Sequence, residues 1–72
     1  MMKPTTELCS IMQAGGGVSI PSTISTTGLC TIARAGTGTG ATLIVRNAGD
    51  KPTTDLCSIG KANPGHVIFE FD

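Results

Sequence analysis

The chain has 72 residues, with five basic and five acidic side chains that give a formal net charge of zero and form no block of either sign. This balance argues against a nucleic-acid binder, because such proteins neutralise phosphates with a clustered basic surface. The two phenylalanines are the only aromatic residues, which argues against a sheet that stacks nucleic-acid bases.

One block of sequence occurs three times. The pattern Thr-Thr-x-Leu-Cys-Ser/Thr-Ile starts at Thr5, Thr26 and Thr53, so successive copies lie 21 and 27 residues apart. Spacings of this size are typical of supersecondary units that stack on one another. We therefore interpret the chain as a single domain of three repeats, residues 5–20, 26–46 and 53–71.

Each repeat is predicted to begin with a short helix. The leucine, cysteine and isoleucine of the block fall at its fourth, fifth and seventh positions, which is a helical stripe. One threonine of each pair is expected to cap the helix through its side chain, and Glu7 and Asp55 add negative charge where the helix dipole favours it. Gly15, Gly36 and the Asn63-Pro64 pair are expected to end the helices, because glycine and asparagine accept the left-handed conformation.

After each helix the apolar residues alternate with other residues, which predicts a strand. In the last repeat Val67, Phe69 and Phe71 form one row, and the residues between them form the other. Residues 21–25 and 47–52 are then the connections. Strands that follow intervening helices pair in parallel through right-handed crossovers, which places all helices on one sheet face. The helix residues expected against that face are the leucine and isoleucine of each block: Leu8, Ile11, Leu29, Ile32, Leu56 and Ile59.

This helix-strand pattern resembles the leucine-rich-repeat-like solenoids, in which each unit of similar length contributes one strand and one helix. In this chain the best-kept block lies on the helix, and Asn47 has no counterpart in the other two repeats. The resemblance implies an α/β fold with a short parallel sheet and helices on one face. It also implies a binding or scaffolding role for the uncovered sheet face.

The cysteines Cys9, Cys30 and Cys57 occupy equivalent positions on the three helices. A zinc site would need His66 as a fourth ligand, and zinc sites usually bring cysteines together in pairs two to four residues apart. Packed helices hold equivalent residues about 8–10 Å apart, beyond the reach of a disulfide. We therefore expect buried, unreactive thiols and neither metal nor cofactor, because free cysteine is among the most buried residue types.

The start of the chain is not followed by an apolar run, so we expect neither a secretory signal nor a membrane span. An odd number of cysteines without such a signal fits a reducing compartment. A cytoplasmic location is the expectation.

An alternative is a small-ligand-binding or catalytic domain that uses residues 36–40 and three outward strand residues. Residues 36–40 read Gly-Thr-Gly-Thr-Gly, but they run from a helix into a strand, whereas phosphate-binding loops run from a strand into a helix. We expect a flexible turn there. His66, Arg46 and Glu70 lie on the outward side of the predicted strands, where they form the ligand or catalytic site of this alternative.

The pattern favours a non-enzymatic protein-interaction or self-assembly module whose partner is itself or another protein. A chain this short buries only about 60% of its unfolded surface, and parallel sheets are normally covered on both faces. The repeats also fill the chain from residue 5 to Asp72, without the polar caps that repeat arrays need; a fragment of a longer array would share this feature. The candidate interaction surface is the outward row with the C-terminal edge: Ser19, Thr42, Ile44, Arg46, His66, Ile68, Glu70 and Phe71.

Overall fold

The computed structural model describes residues 4–71, a range that includes all three predicted repeats. Helices and strands alternate as the repeats predict. In chain order the elements are α1 (Thr5–Gln13), β1 (Val18–Pro21), α2 (Thr26–Ala35), β2 (Leu43–Arg46), a 3₁₀ turn (Ala48–Asp50), α3 (Thr53–Ala62) and β3 (Val67–Phe69). The α/β fold class and the three helix-strand units are therefore confirmed.

The three strands form one parallel sheet in the order β1-β2-β3. Leu43 of β2 lies beside Val18 of β1 on one side and beside Val67 of β3 on the other. Chain order and spatial order are thus the same, and α2 and α3 are the crossovers between neighbouring strands. Two strand ends differ from the prediction. Pro21 belongs to β1, where it was expected to begin a connection, and β3 ends at Phe69 rather than at Phe71.

The core lies between the helices and one face of the sheet. Leu43 and Val45 are fully buried, whereas Ile44 between them is half-buried and Arg46 is exposed, as expected for a sheet covered on one face. The other buried apolar residues come mainly from the helices. They are Leu8, Met12, Ile20, Leu29, Ile32, Ala33, Ala41, Ala48 and Ile59.

Four of the six helix residues predicted in the core are buried, but Ile11 and Leu56 are only half-buried. In α1 the buried position after Leu8 is Met12, one residue beyond the predicted isoleucine. The flexible methionine reaches the end of the next helix, where a Cβ added to Gly36 would lie 2.6 Å from the Met12 Cε.

The predicted threonine caps are wrong. The N-cap residues are Pro4, Ser25 and Pro52, and the threonines are the first residues of the helices themselves. Ser25 supplies the one side-chain cap among the described helices, since its Oγ accepts a hydrogen bond from the Gly28 N–H at 3.2 Å.

The helix ends confirm one of three predicted left-handed residues. Gly15 has a φ of 95°, but Gly36 has a φ of −87° and Asn63 a φ of −149°. Gly36 does not adopt the left-handed conformation, and a Cβ there would lie close to the Met12 Cε and 3.1 Å from the Asn63 Nδ2. Asn63 is 3% exposed, and its Nδ2 donates to the Ala41 carbonyl oxygen at 3.3 Å, which ties the third unit to the second.

Within residues 4–71, no helix combines the length and the apolar character needed to cross a membrane.

Candidate interaction surface

The outer sheet face is the side of the sheet opposite the helices, and it carries the predicted outward row. The strand register places Ile44 beside Ser19 on one side and beside Ile68 on the other. Ser19 is exposed, Ile44 is half-buried and Ile68 is 51% exposed. The structure therefore brings these three predicted residues together in one line across the sheet.

The remaining predicted residues divide between the two ends of the strands. The Leu43 N–H donates to the His66 carbonyl oxygen at 2.8 Å, so His66 lies at the amino end of the sheet beside Thr42. The Glu70 N–H donates to the Val45 carbonyl oxygen at 2.9 Å, so Glu70 lies at the carboxyl end beside Arg46. Four residues of extended chain separate His66 from Glu70 by about 13 Å. These two side chains are not placed to share a proton.

The glycine loop, residues 36–40, leads into the amino end of β2 and so lies at the end of the sheet opposite Arg46 and Glu70. Thr39 attaches this loop to the first helix, because its Oγ1 lies 2.9 Å from the Met12 carbonyl oxygen. The same Oγ1 accepts a hydrogen bond from the Ala41 N–H at 3.3 Å. The expected flexible turn is thus hydrogen-bonded to the neighbouring repeat.

The alternation predicted that Phe71 would continue the row formed by Val67 and Phe69, but it does not. The strand ends at Phe69, and the Glu70 carbonyl oxygen accepts a hydrogen bond from the Ala48 N–H at 2.9 Å. Phe71 is 61% exposed, with its ring 6.5 Å from the Phe69 ring and tilted by 42°. Phe71 and Ile68 are the large apolar residues that the described part of the chain exposes.

The two edges of the sheet differ in the hydrogen-bonding groups that they present. The Val18 and Ser22 N–H groups donate to carbonyl oxygens of the second repeat at 3.2 and 3.0 Å, so the alternate residues Ser19 and Pro21 direct their backbone groups away from β2. Proline has no N–H, which leaves the β1 edge with one donor of the two that this length of strand would present.

On β3 the backbone of His66 and Glu70 bonds to β2, as described above. By the same alternation Val67 and Phe69 direct both N–H groups and both carbonyl groups to the open side. The β3 edge is therefore fully equipped to accept another strand, and the β1 edge is not.

The prediction of buried thiols is wrong for Cys57, which is exposed, and overstated for Cys9 and Cys30, which are half-buried. The fifth position of the block lies on the flank of each helix rather than on the side that meets the sheet. Cys9 contributes to a shallow open groove of about 380 Å³ between α1 and α2, together with Gln13, Thr31, Arg34 and Ala35. Within residues 4–71, no three His, Cys, Asp or Glu side chains come together as a metal site would require.

A polar cluster between α2 and α3 was not predicted. The Thr26 Oγ1 donates to the Asp55 Oδ2 at 3.0 Å, and the Lys51 Nζ donates to the Thr26 Oγ1 at 3.2 Å. The sequence signal was the acid that follows the threonine pair in the first and third repeats, where the second has Gly28. All three side chains are partly buried and bonded to one another, so the cluster joins two repeats.

The structure thus gives an exposed apolar row, one open strand edge and no assembled catalytic group among the described residues. No family model matches the sequence, and neither a curated protein nor a solved structure matches it.

Proposed function

We propose that this protein is a non-enzymatic interaction module that associates with copies of itself. The observation that carries the proposal is the exposure of Ile68 and Phe71, at 51% and 61% respectively. Ile68 lies on β3 and Phe71 lies two residues beyond the end of that strand, so both belong to the C-terminal edge of the sheet. Exposed apolar side chains grouped with polar neighbours are typical of protein-protein contact sites.

The free energy available at this surface is modest but useful for a domain of this size. Full burial of an isoleucine or phenylalanine side chain contributes about 1.5–3 kcal/mol, so covering a side chain that is half exposed contributes about 1 kcal/mol. In a symmetric pair each residue contributes twice. A domain of this length has a total stability of about 4–11 kcal/mol, so such burial is a sizeable fraction of it.

Two further points support association over chemistry. His66 and Glu70 lie at opposite ends of β3, and the glycine loop lies away from Arg46, so the residues of the ligand-binding alternative do not converge. The helices cover one face of the sheet, whereas parallel sheets are normally covered on both. A leucine-rich-repeat-like relationship would imply the same use of the open face. We place the module in the cytoplasm, in keeping with its three free cysteines.

The test is the solution mass of the wild-type chain and of two matched variants over a wide range of concentration. Ile68→Glu places a charge where the partner would cover it, and Ser10→Glu places the same charge at an exposed polar position of α1, outside the candidate interaction surface. We expect wild type and Ser10→Glu to associate and Ile68→Glu to sediment as a monomer, all with the same far-UV circular dichroism. A wild-type chain that stays monomeric throughout would contradict the proposal.

A further inference from the structure

We infer that two copies of this chain pair through β3, antiparallel and about a two-fold axis at Ile68, so that two three-stranded sheets join into one of six strands. This inference rests on the proposed self-association and specifies its partner, edge and register. Three features of the described residues carry it: the unequal edges, the order of side chains along β3, and a glycine on α3.

The unequal edges select which strand pairs. Val67 and Phe69 offer two N–H donors and two carbonyl acceptors, which together make four hydrogen bonds with an identical edge. Pro21 removes a donor from the β1 edge. A two-fold pair uses the competent β3 edge twice, whereas a head-to-tail array would need β1 at every contact.

The order of side chains selects the register. Antiparallel strands exchange hydrogen bonds between residues that both face the partner, so Val67 must lie opposite Val67 or Phe69 of the other copy, or Phe69 opposite Phe69. With the axis at Ile68, Val67 lies opposite the partner's Phe69, and Ile68 lies opposite the partner's Ile68. His66 then lies opposite the partner's Glu70.

This register matches apolar with apolar side chains and places each imidazole opposite a carboxylate. An axis at Val67 would instead set His66 opposite isoleucine, and an axis at Phe69 would set Glu70 opposite isoleucine. Both His66 and Glu70 are exposed in the single chain and are therefore free to meet a partner.

The helix layer offers space for the second copy. Gly60 of α3 occupies the repeat position held by Met12 in α1 and Ala33 in α2, both fully buried, and Met12 reaches the end of the following helix. A Cβ added to Gly60 would meet nothing within 4 Å. Glycine is less favourable than alanine inside a helix, and nothing within residues 4–71 requires it here. The proposed pairing brings the partner's α3 to this flank, where a missing side chain permits close approach.

Disulfide trapping tests the register. Directly opposed residues that do not exchange hydrogen bonds have Cα atoms about 4.5 Å apart, within the roughly 4.4–6.8 Å range of disulfides. We expect Ile68→Cys to form an intermolecular bridge to its own copy under mild oxidation, identified by peptide mapping so that bridges of the native cysteines are distinguished. The matched variant Ile44→Cys points from the same face but lies on the central strand, and it should not bridge.

The outcomes separate this inference from the proposed function. A wild-type dimer in which Ile44→Cys bridges and Ile68→Cys does not would mean that sheets stack face to face, which overturns the strand pairing and leaves self-association intact. A wild-type monomer would overturn both.

Charge exchange provides a second readout. His66→Glu sets two carboxylates opposite each other, and the double variant His66→Glu, Glu70→Lys sets a carboxylate opposite a lysine. Glu70→Lys alone removes the carboxylate opposite the imidazole and serves as the second single variant. Each cross-strand pair occurs twice per dimer, so the two carboxylates of His66→Glu should raise the dissociation constant about 2- to 30-fold. The double variant should recover most of that loss. Losses that simply add in the double variant would refute the register.

Discussion

Truncating the leucine of each helix measures how tightly the repeats pack, because Leu8, Leu29 and Leu56 occupy the same position of the block. Leu29 is 0% exposed and lies on the central helix, which packs against both neighbours. Leu29→Ala should cost about 2–5 kcal/mol of the free energy of unfolding, as for other fully buried leucines. A domain of this length has about 4–11 kcal/mol in total, so the variant is expected to be partly unfolded at room temperature or close to it.

At the other two helices, the loss of unfolding free energy caused by Leu→Ala should increase with the burial of the leucine. Leu8 is 5% exposed, so Leu8→Ala should cost nearly as much as the central change. Leu56 is half-buried, and Leu56→Ala should cost about 1–2 kcal/mol, since part of its surface is already in water.

Urea unfolding followed by far-UV circular dichroism gives the three values, at protein concentrations low enough to keep the chain monomeric. Equal and small losses at all three positions would refute the stacked packing. A loss at Leu56 that grows with protein concentration would show instead that assembly buries it.

Two other predictions test the close contacts and the thiols. Gly17→Ala should lower the free energy of unfolding by about 1–3 kcal/mol, because the new Cβ would lie 2.6 Å from the Thr42 carbonyl oxygen, a backbone atom that cannot move aside; an unchanged urea midpoint would contradict this. A thiol-reactive dye should label the exposed Cys57 of native protein well before the half-buried Cys30, as followed by mass spectrometry of digested samples. Equal labelling rates would contradict this difference in exposure.

The sequence predicts the elements well because they depend on local periodicity. The spacing of leucine and isoleucine in the block predicts helices, and the alternation of Leu43, Ile44 and Val45 predicts both the strand and which side of it is covered. The repeat then predicts the order of elements, since similar units fold alike and stack on their neighbours.

The errors concern features that depend on neighbouring repeats. Cys9 and Cys30 lie on helices that are followed by another helix and are half-buried, whereas Cys57 lies on the last helix and is exposed, so it was wrongly placed in the core. Gly36 was predicted to be left-handed, but it has a φ of −87° and lies close to Met12 and Asn63 of the two neighbouring repeats. Local sequence contains no information on either.

The candidate surface was predicted in part. Strand alternation alone placed Ile44 and Ile68 on the outer sheet face, and the register confirms that they are neighbours. The difference between the two edges was missed because Pro21 was assigned to a connection. A proline directly after Val-Ser-Ile was the available signal, since prolines within strands occur on edges.

Pro21 also has a consequence for solubility. A sheet with two competent edges can add subunits at both ends, and parallel addition of this kind grows into fibres, the usual hazard of exposed strands. In the proposed pairing, the proline on β1 disfavours extension of the dimer into an open array of molecules. We expect Pro21→Thr to return the missing donor to β1 and to form open-ended polymer at concentrations where the wild-type chain forms the proposed dimer.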